Sequence, residues 1–330
     1  MASSKVTLKV MISSINLDPI VNEVRREIES RLDGLGLFYR VFARGKSVSS
    51  ITHKMQMKKG VYNEQKKMQD IIGVRIVLYF IDDVGIVYDI LKSLPHFLEE
   101  SNSEKDTEEL EKNLDDEFRK KLGRLSDKLF MPERLNLIFR MSFEQSENLS
   151  MALSGFEFAN MIDNTYEVQI RSVFSEGWHE VEHDLRYKCK DEAMWDYCLA
   201  ESRALNGMYA SLEMVESSMR SLFDRIAFKN FKHNDWPAML RNKFCIRFDD
   251  DTVSDDVSRC LSADGGKIGK EVFKFSRADL FSYIRTLPGK LPRKMDNVVY
   301  LINRVSIHNE VLASLEPVPV RELLDAIPRR

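Results

Sequence analysis

The sequence predicts a protein of the α/β or α+β class, from its composition and its hydrophobic patterning. The chain has 330 residues, of which 43% are hydrophobic and 31% charged, with 14 Gly and 9 Pro. This composition excludes collagen-like, low-complexity and wholly disordered chains. Short apolar segments of strand length alternate with longer segments of helical periodicity. The length suits about two domains, at roughly 150 residues each.

The overall charge and the cysteines limit the partners and the compartment. Lys and Arg number 49 and Asp and Glu 52, a formal net charge of -3, so a polyanion site has to come from a local basic patch. The four cysteines form no C-x-x-C pair, which indicates reduced thiols and a cytoplasmic location. No apolar run approaches the roughly 20 residues of a membrane helix, and no signal peptide is recognisable, so no membrane contact is expected.

The first elements follow helical and strand patterns in turn. A helix is predicted to begin at Asp18, with apolar residues at helical spacing, and to end at Gly34. Residues 38–43 are aromatic and β-branched and predict a strand, after which a loop leads into a basic helix. Residues 71–80 are almost continuously apolar, which predicts a strand buried on both faces. An amphipathic helix is expected from residue 82.

The central part of the chain predicts two further strands and two helices. The segment 99–117 is acidic and polar and is interpreted as a solvated helix or an insertion. Strands are predicted at 134–141 and 165–171, joined by a loop of about 20 residues. Helices are predicted at 175–189 and 202–226, the second with a methionine-rich face that we assign to the core.

The pattern changes after Phe231. A strand at 243–248 and three helical patterns that end near Leu324 predict a smaller α/β C-terminal region. No internal repeat is visible. We therefore place a domain boundary near residue 230, which gives domains 1–230 and 231–330.

The segment 40–67 concentrates basic side chains against a single acid, Glu64. Its basic residues are Arg40, Arg44, Lys46, Lys54, Lys58, Lys59, Lys66 and Lys67. Because Arg and Lys neutralise a triphosphate and position it for transfer, this cluster predicts a polyphosphate site. A solvated basic face is the alternative interpretation.

Two carboxylates, Asp70 and Glu167, are candidates for a metal site. Asp70 precedes a buried strand, and Mg²⁺ usually takes one or two carboxylates together with substrate phosphate. Glu167, Gln169 and Arg171 share one face of their predicted strand, and burying three polar groups is costly unless they have partners. Glu167 is therefore predicted to share the metal or to act as a base. The alternatives are a turn-forming Asp and a strand with one solvated face.

A zinc-like pattern competes with this interpretation. His179, Glu180 and His183 match H-E-x-x-H, in which two histidines bind Zn²⁺ and the glutamate activates water, with Glu201 as a downstream third ligand. The pattern is short, and it explains neither the basic cluster nor the Glu167 strand. A zinc peptidase is kept as an alternative.

Four short motifs follow one another over the first two thirds of the chain. They are R-x-K-S-x-x-S-I at 44–51, D-x-x-G-x-R at 70–75, E-V-Q-I-R-S at 167–172 and W-x-x-x-E-H-x-x-x-Y-K at 178–188. In this order they resemble the synthetase domain of the RelA/SpoT alarmone synthetases, and are most similar to its small, single-function members. In that frame His183 belongs to the E-H motif and His179 is incidental.

The resemblance implies a fold, a reaction and a set of site residues. The implied fold is α+β, a mixed β-sheet flanked by helices and related to nucleotidyltransferases. The implied reaction transfers pyrophosphate from ATP, with Mg²⁺, to the ribose 3′-hydroxyl of GDP or GTP, giving (p)ppGpp and AMP. The implied catalytic residues are Asp70, Glu167, Gln169 and Arg171, with Asp70 and Glu167 on the metal. The implied ATP-site residues are Arg44, Lys46, Ser50, Lys54, Arg75, His183 and Lys188.

One segment departs from the family pattern. The family has an N-G-Y-x-S-L-H stretch whose Tyr stacks on the acceptor guanine, and the corresponding residues 127–137 lack it. GDP or GTP is the first expectation for the acceptor, and the alternatives are the tRNA 3′ end or a degenerate nucleotide-binding protein without catalysis. We also expect no hydrolase domain upstream of Arg44. A toxin-like role, a neutralising antitoxin and a homo-oligomer follow as further expectations.

Overall fold

A computed structural model describes residues 15–57, 60–63, 65–101, 135–182, 185 and 198–327. The strands are β1 (Tyr39–Gly45), β2 (Ile72–Leu78), β3 (Phe97–Ser101), β4 (Leu135–Arg140) and β5 (Thr165–Ser172). The first helices are α1 (Asp18–Asp33), α2 (Val48–Met57), α3 (Asp82–Lys92), α4 (Phe143–Ala152), α5 (Val173–Glu182) and α6 (Leu199–Lys232), with a 3₁₀ turn at Ala159–Met161. The later helices are α7 (Trp236–Phe244), α8 (Asp255–Lys274), α9 (Arg277–Thr286), α10 (Met295–Ile302), α11 (Glu310–Leu315) and α12 (Val318–Leu324), with a π-turn at Asn303–Ile307.

The described strands form one mixed sheet in the order β1-β2-β5-β4-β3. β2 and β5 are parallel, whereas the β1–β2, β5–β4 and β4–β3 pairs are antiparallel. A parallel pair needs a crossover, and the chain between β2 and β5 supplies it. The predicted mixed sheet with flanking helices is confirmed.

The sheet has one apolar and one polar face because side chains alternate along each strand. The buried apolar residues of the central strands include Val74, Ile76, Val168 and Ile170. Helix α1 begins where predicted and contributes Ile20, Val24, Ile28 and Leu32 to the same hydrophobic core. The opposite face carries Arg75 on β2 and Glu167 and Gln169 on β5, at the partly buried positions of these strands.

The C-terminal helices pack against the sheet region through one buried ion pair and a shared apolar core. Arg277 at the start of α9 donates to the carboxylate of Asp83 in α3 and, at 2.5 Å, to the carbonyl oxygen of Phe244. Both charged side chains are buried. Apolar side chains from α1 to α12 belong to one continuous cluster. The domain boundary near residue 230 stays a prediction.

The predicted loop between β4 and β5 is wrong, because it contains α4 and a 3₁₀ turn. The Ser142 side chain accepts a hydrogen bond from the backbone of Gln145, and the Gln145 side chain accepts one from the backbone of Ser142. This capping box satisfies two of the free backbone donors at a helix start. It was visible in the sequence as Ser followed three residues later by Gln.

The predicted strand at 243–248 is also wrong, and the described part of the C-terminal region is helical rather than α/β. Asp235 caps α7 by accepting from the backbone of Ala238, and the helix continues to Phe244. Cys245 then takes a left-handed conformation (φ 46°), which ends the helix. The next residue but one, Arg247, donates its backbone N–H to Gly36 at 2.6 Å, so this segment binds a loop and not a strand.

Two other sequence predictions, for the methionine face of α6 and for the acidic segment 99–117, are compared with the structure next. Helix α6 is longer than predicted, and its Met208 and Met214 are 57% and 72% exposed, so the assignment of its methionine face to the core is wrong. Residues 99–101 of the acidic segment belong to the edge strand β3, whereas 102–117 lie outside the described residues. In the described ranges, no helix combines the length and apolar character needed to cross a bilayer.

We predict that Arg277→Met lowers the free energy of unfolding by about 3–5 kcal/mol, because it leaves the Asp83 carboxylate buried without its partner. Urea unfolding at neutral pH measures the loss. Burial raises the pKa of Asp83, against the opposing attraction of Arg277, so the loss should shrink at acid pH as the unpaired carboxyl takes up a proton.

The matched control is Arg259→Met, which removes the exposed ion pair with Asp256. That change should cost less than about 1 kcal/mol, since exposed pairs contribute little. Equal losses in the two variants would contradict a structural role for the buried pair.

Candidate active site

Two lysines of the basic cluster converge on Asp70 in the loop before β2. The Lys46 Nζ donates to Asp70 Oδ2 at 2.8 Å and to the Asp70 carbonyl at 2.5 Å, and the Lys54 Nζ donates to the same Oδ2 at 2.7 Å. The backbone N–H of Lys46 donates to the Ile71 carbonyl at 2.8 Å, which holds the end of β1 beside the start of β2. Asp70 Oδ1 is buried and has no hydrogen-bond partner in the described part of the chain.

The charges of this trio determine what it can bind. Burial raises the pKa of Asp70, but Lys46 and Lys54 outweigh it, and the pKa lies below the usual range. Burial lowers the pKa of Lys54, but Asp70 outweighs it, and that pKa is raised. Asp70 is therefore ionised and Lys54 protonated at neutral pH, and the trio sets two lysines against one carboxylate. Such a trio suits a polyphosphate, while the unpartnered carboxylate oxygen suits a hard cation.

The start of α2 lies beside this trio. Ser47 precedes the helix, and its hydroxyl accepts from the backbone N–H of Ser50 at 3.2 Å and lies 2.9 Å from the Ser50 hydroxyl. Ser50 therefore occupies the first turn of the helix, one turn before Lys54. Free backbone N–H groups at a helix start attract phosphate, but the N–H of Ser50 itself is bound to Ser47, so the ATP-site role of Ser50 stays a prediction.

Gly45 separates the two predicted ATP contacts, Arg44 and Lys46. A Cβ at Gly45 would lie 2.6 Å from Leu17 Cδ1, so only glycine fits against the residue that precedes α1. Because side chains alternate along a strand, this close packing on one face directs Arg44 to the other, polar face.

Gly73 leaves an unoccupied space on the polar face of the sheet between Arg44 and Glu167, here called the floor. The register pairs Arg44 of β1 with Gly73 of β2, and Gly73 with Glu167 of β5, so the three positions lie side by side on the polar face. A Cβ at Gly73 would meet nothing within 4 Å. The floor is therefore free to receive a substrate group between a cation and a carboxylate.

The loop that carries Asp70 is fastened to the start of β5. The Thr165 hydroxyl donates to the backbone carbonyl of Gln69 at 3.0 Å. Asp70 thus lies at the same edge of the sheet as Glu167, two residues beyond Thr165. Carboxylate oxygens are the ligands that Mg²⁺ prefers, and the buried, unpartnered Asp70 Oδ1 fits this role.

A hydrogen-bonded series runs along β5 from Glu167. Gln169 donates to Glu167 at 2.7 Å and accepts from Arg171 at 3.2 Å, and Arg171 donates to Glu176 of α5 at 3.1 Å. Arg75, which pairs in register with Gln169, donates to the other oxygen of Glu176 at 2.5 Å. The series holds Glu167 in one orientation, which is useful for a base that has to meet a substrate hydroxyl.

Sequence reasoning missed several members of this site. Phe42 is 54% exposed on β1 between Arg40 and Arg44, and strict alternation along the strand places it on the polar face. That alternation was available from the sequence. By contrast, Glu176 carried no signal, and Glu180 stood out only in the zinc-like pattern. Both bind Arg75, which is remote from them in sequence.

A cavity of about 600 Å³ adjoins the α2 side of the site. It is lined in part by Thr52, Met55, Gln56, Tyr62, Phe158 and Met161. The Lys54 Nζ lies 5.9 Å from the centre of the Tyr62 ring, which joins this cavity to the Asp70 trio. Its volume suits a small organic ligand.

Several predicted residues lie outside the described residues. They are His183, Lys188, Lys58, Lys59 and Glu64, together with residues 127–134 of the departing segment. His179 is buried on α5, with its Nδ1 4.0 Å from Glu182. Within the described ranges no group of three or more His, Cys, Asp or Glu side chains is arranged to hold a metal. The zinc alternative stays a prediction because His183 is not described.

Comparison with known proteins finds a family model that matches part of the chain. Residues 43–192 match the region found in RelA and SpoT proteins, which confirms the resemblance predicted from the four motifs. No curated protein sequence matches.

Solved structures with similarity to the chain include three bacterial proteins. Small alarmone synthetase 1 from Bacillus subtilis is 18% identical, with a TM-score of 0.38, over 61% of this chain and 91% of that one. A GTP pyrophosphokinase family protein from Streptococcus pneumoniae is 19% identical, with a TM-score of 0.39, over 64% and 90%. Small alarmone synthetase 2 from Bacillus subtilis is 19% identical, with a TM-score of 0.38, over 62% and 90%.

We predict that the contribution of Asp70 to stability is lost only in acid. A carboxyl whose pKa is lowered by folding stabilises the protein above its unfolded pKa of about 4 and loses that contribution as the pH falls through the folded pKa. Asp70→Asn should therefore lower the free energy of unfolding by on the order of 1–3 kcal/mol between pH 5 and 8, the range for hydrogen bonds to charged groups.

Chemical denaturation of both proteins across pH 2–8 checks this prediction. The difference between them should shrink below about pH 4, as the wild-type carboxyl takes up a proton. A difference that vanishes already near pH 6 would mean that the two lysines do not hold Asp70 ionised.

Proposed function

Because the chain carries the region found in RelA and SpoT proteins over residues 43–192, we propose that it is a pyrophosphokinase that uses ATP as donor. The proposed acceptor is the 3′-hydroxyl of GDP or GTP, and the products are a (p)ppGpp-type nucleotide and AMP. One observation carries the proposal: two lysines converge on the partly buried Asp70, whose buried Oδ1 has no partner in the described part of the chain. In the register beside it, Glu167 faces Arg44 across the open floor of Gly73.

The cations of the site would bind and orient the donor. Lys46, directly after β1, and Lys54 of α2 both approach Asp70, and Arg44 lies at the end of β1, opposite Gly73 of β2. Charge neutralisation on the phosphates and their fixed position supply most of the catalysis in phosphoryl transfer. Lysine has three donors, so both lysines can bind phosphate oxygens while they hold Asp70.

Asp70 and Glu167 would hold Mg²⁺. The metal, when bound, supplies charge stabilisation on the transferred phosphates. The donor set fits, because both side chains offer carboxylate oxygens and Asp70 Oδ1 is buried without a partner in the described part of the chain.

Glu167 is proposed to take the proton of the acceptor hydroxyl. The hydroxyl oxygen forms a bond to the β-phosphorus of ATP, the bond from that phosphorus to the oxygen bridging the α- and β-phosphates breaks, and AMP leaves. Gln169 donates to Glu167 at 2.7 Å and fixes its orientation. A base held in this way contributes about 10²–10⁴-fold in rate.

The acceptor nucleoside is proposed to occupy the 600 Å³ cavity beside α2. Tyr62 and Phe158 give it aromatic walls, which suit a purine ring. These rings offer stacking surfaces in a chain that lacks the guanine-stacking tyrosine of the family pattern.

We predict that Glu167→Gln lowers the rate of transfer by about 10²–10⁴-fold, because the amide cannot take the proton. ATP binding should fall far less than transfer, because Asp70, Lys46 and Lys54 are unchanged. Formation of AMP from labelled ATP with Mg²⁺ measures transfer, and calorimetry with a non-hydrolysable ATP analogue measures binding.

The same assay should offer GDP, GTP, ADP and deacylated tRNA in parallel. Label on GDP or GTP, lost in Glu167→Gln, supports the proposal. Label on tRNA alone would keep the transferase but replace the acceptor. ATP binding without transfer to any acceptor would identify a nucleotide-binding protein and contradict the proposed activity.

We predict that Gly73→Val abolishes transfer without unfolding the chain. A valine there meets no neighbouring atom within 4 Å of its Cβ, yet its branched side chain fills the floor between Arg44 and Glu167. Since a small misplacement at a reaction centre costs about 10²-fold, kcat/KM should fall by at least that factor.

Thermal unfolding checks that the fold is kept, and β-branched residues are favoured in strands. The matched control is Gly85→Val on the exposed side of α3, where a Cβ also meets nothing within 4 Å. Full activity in Gly73→Val would mean that the substrate does not lie on this floor.

A further inference from the structure

Phe42 is an exposed aromatic side chain on the polar face of the sheet. The side chains of Arg40, Phe42 and Arg44 share this face of β1, and all three are exposed, whereas the residues between them are half-buried. Phe42 is 54% exposed and does not belong to the described hydrophobic core. Single exposed apolar side chains are common, so exposure by itself indicates nothing. A role for Phe42 therefore has to follow from what lies around it.

Phe42 lies in line with the Asp70 trio. Arg44 is the next residue on the same face of β1, and Lys46, which donates to Asp70 Oδ2 at 2.8 Å, follows directly after the strand. The backbone N–H of Lys46 still donates to the Ile71 carbonyl, so the chain is extended from Phe42 to Lys46. At about 3.3 Å per residue these two positions are about 13 Å apart. An extended nucleoside triphosphate spans a comparable distance from its base to its outer phosphates.

The side chain opposite Phe42 on β2 is bound elsewhere. The register pairs Phe42 with Arg75. The Arg75 Nη1 donates to Glu176 at 2.5 Å and also to Glu180, and both glutamates belong to α5. These bonds hold the guanidinium towards α5, in agreement with the exposed Phe42 ring. An aromatic ring with an open face offers a stacking surface for a base.

Cations flank the Phe42 ring in both directions along the strand. Arg40 precedes it and Arg44 follows it, each two residues and therefore about 6.6 Å away. Neither arginine forms an ion pair within the described part of the chain. An apolar partner would have to remove water from both charges, which is costly, whereas an anionic nucleotide is attracted to them. The surroundings of Phe42 therefore favour a nucleotide over an apolar protein surface.

We propose that Phe42 stacks on the base of the donor nucleotide, whose phosphates lie at the Asp70 trio. This inference rests on the proposed function and adds a residue that binds the donor base. The acceptor nucleoside keeps the cavity beside α2, so the two bases occupy different surfaces. Every base has an aromatic face, but a purine covers more of the ring than a pyrimidine does. Phe42 should therefore favour a purine donor over a pyrimidine donor.

Calorimetry on the full chain with two probes tests the contact. A non-hydrolysable ATP analogue carries base and phosphates, whereas inorganic triphosphate carries the phosphates alone. Phe42→Ala should weaken binding of the analogue by about 5- to 100-fold, the range for loss of one stacking contact between a base and an aromatic ring. It should leave triphosphate binding unchanged, because Lys46, Lys54 and Asp70 are retained.

Two further variants control for the substitution itself. Phe42→Trp keeps an aromatic ring and should bind the analogue nearly as well as wild type. The matched control is Phe143→Ala, which removes an 80% exposed ring at the start of α4 and should change the binding of neither probe. Thermal unfolding confirms that each variant is folded.

The transfer assay separates a role in binding from a role in the chemical step. Phe42→Ala should raise KM for ATP by the same factor and leave kcat nearly unchanged, because stacking is equally strong in the ground and transition states. Wild type should use ATP with a higher kcat/KM than CTP or UTP, and the substitution should reduce this preference. The KM for GDP or GTP as acceptor should stay unchanged.

Three outcomes overturn the proposal for Phe42. Equal losses of analogue and triphosphate binding in Phe42→Ala would mean that the substitution disturbs the strand and not a base contact. Unchanged binding of both probes would mean that the base does not meet this ring. A rise confined to the KM of the acceptor would assign the ring to the acceptor base. Base-dependent donor binding without any transfer would overturn the proposed activity alone, so the two proposals fail separately.

Discussion

The parallel pairing of β2 with β5 is the constraint on which the candidate site depends. It brings Gly73 beside Glu167 and Arg75 beside Gln169, although the crossover between the strands includes α3, two further strands and α4. Because side chains alternate along a strand, one register decides which residues share the polar face. A shift by one residue would bury Glu167 and turn Val168 to the solvent. The apolar face, packed with α1, therefore also protects the geometry of the site.

The charges at Asp70 suit a site that awaits a polyanion. Two lysines hold one carboxylate oxygen and leave the other buried and unpartnered in the described part of the chain. A buried polar atom without a hydrogen bond costs free energy, and such costs cluster at functional sites. Under the proposed function the lysines are positioned before substrate arrives, which avoids part of the cost of ordering them during the reaction.

Helix α6 connects the site to the rest of the protein. Glu216 binds Ser172 at the end of the strand that carries Glu167, while Arg220 donates to the Lys243 carbonyl in α7 at 2.8 Å. Burial raises the pKa of Glu216, against the hydrogen bond from Ser172. The same helix thus contacts the sheet, α3 and the C-terminal helices.

The sequence alone determined the local features of this protein. Periodicity predicted α1, the strands of the sheet other than β3 and the alternation of Glu167 with Val168, and charge clustering singled out Lys46, Lys54 and Asp70. Tertiary structure decided which faces are covered. The stretch at 243–248 is apolar enough for a strand, but none of the described strands pairs with it, and Asp235 caps a helix instead. The methionine-rich face of α6 was assigned to the core, yet Met208 and Met214 are exposed. Periodicity reports which side chains share a face, whereas burial and ion pairs such as Arg75 with Glu176 depend on neighbours remote in sequence.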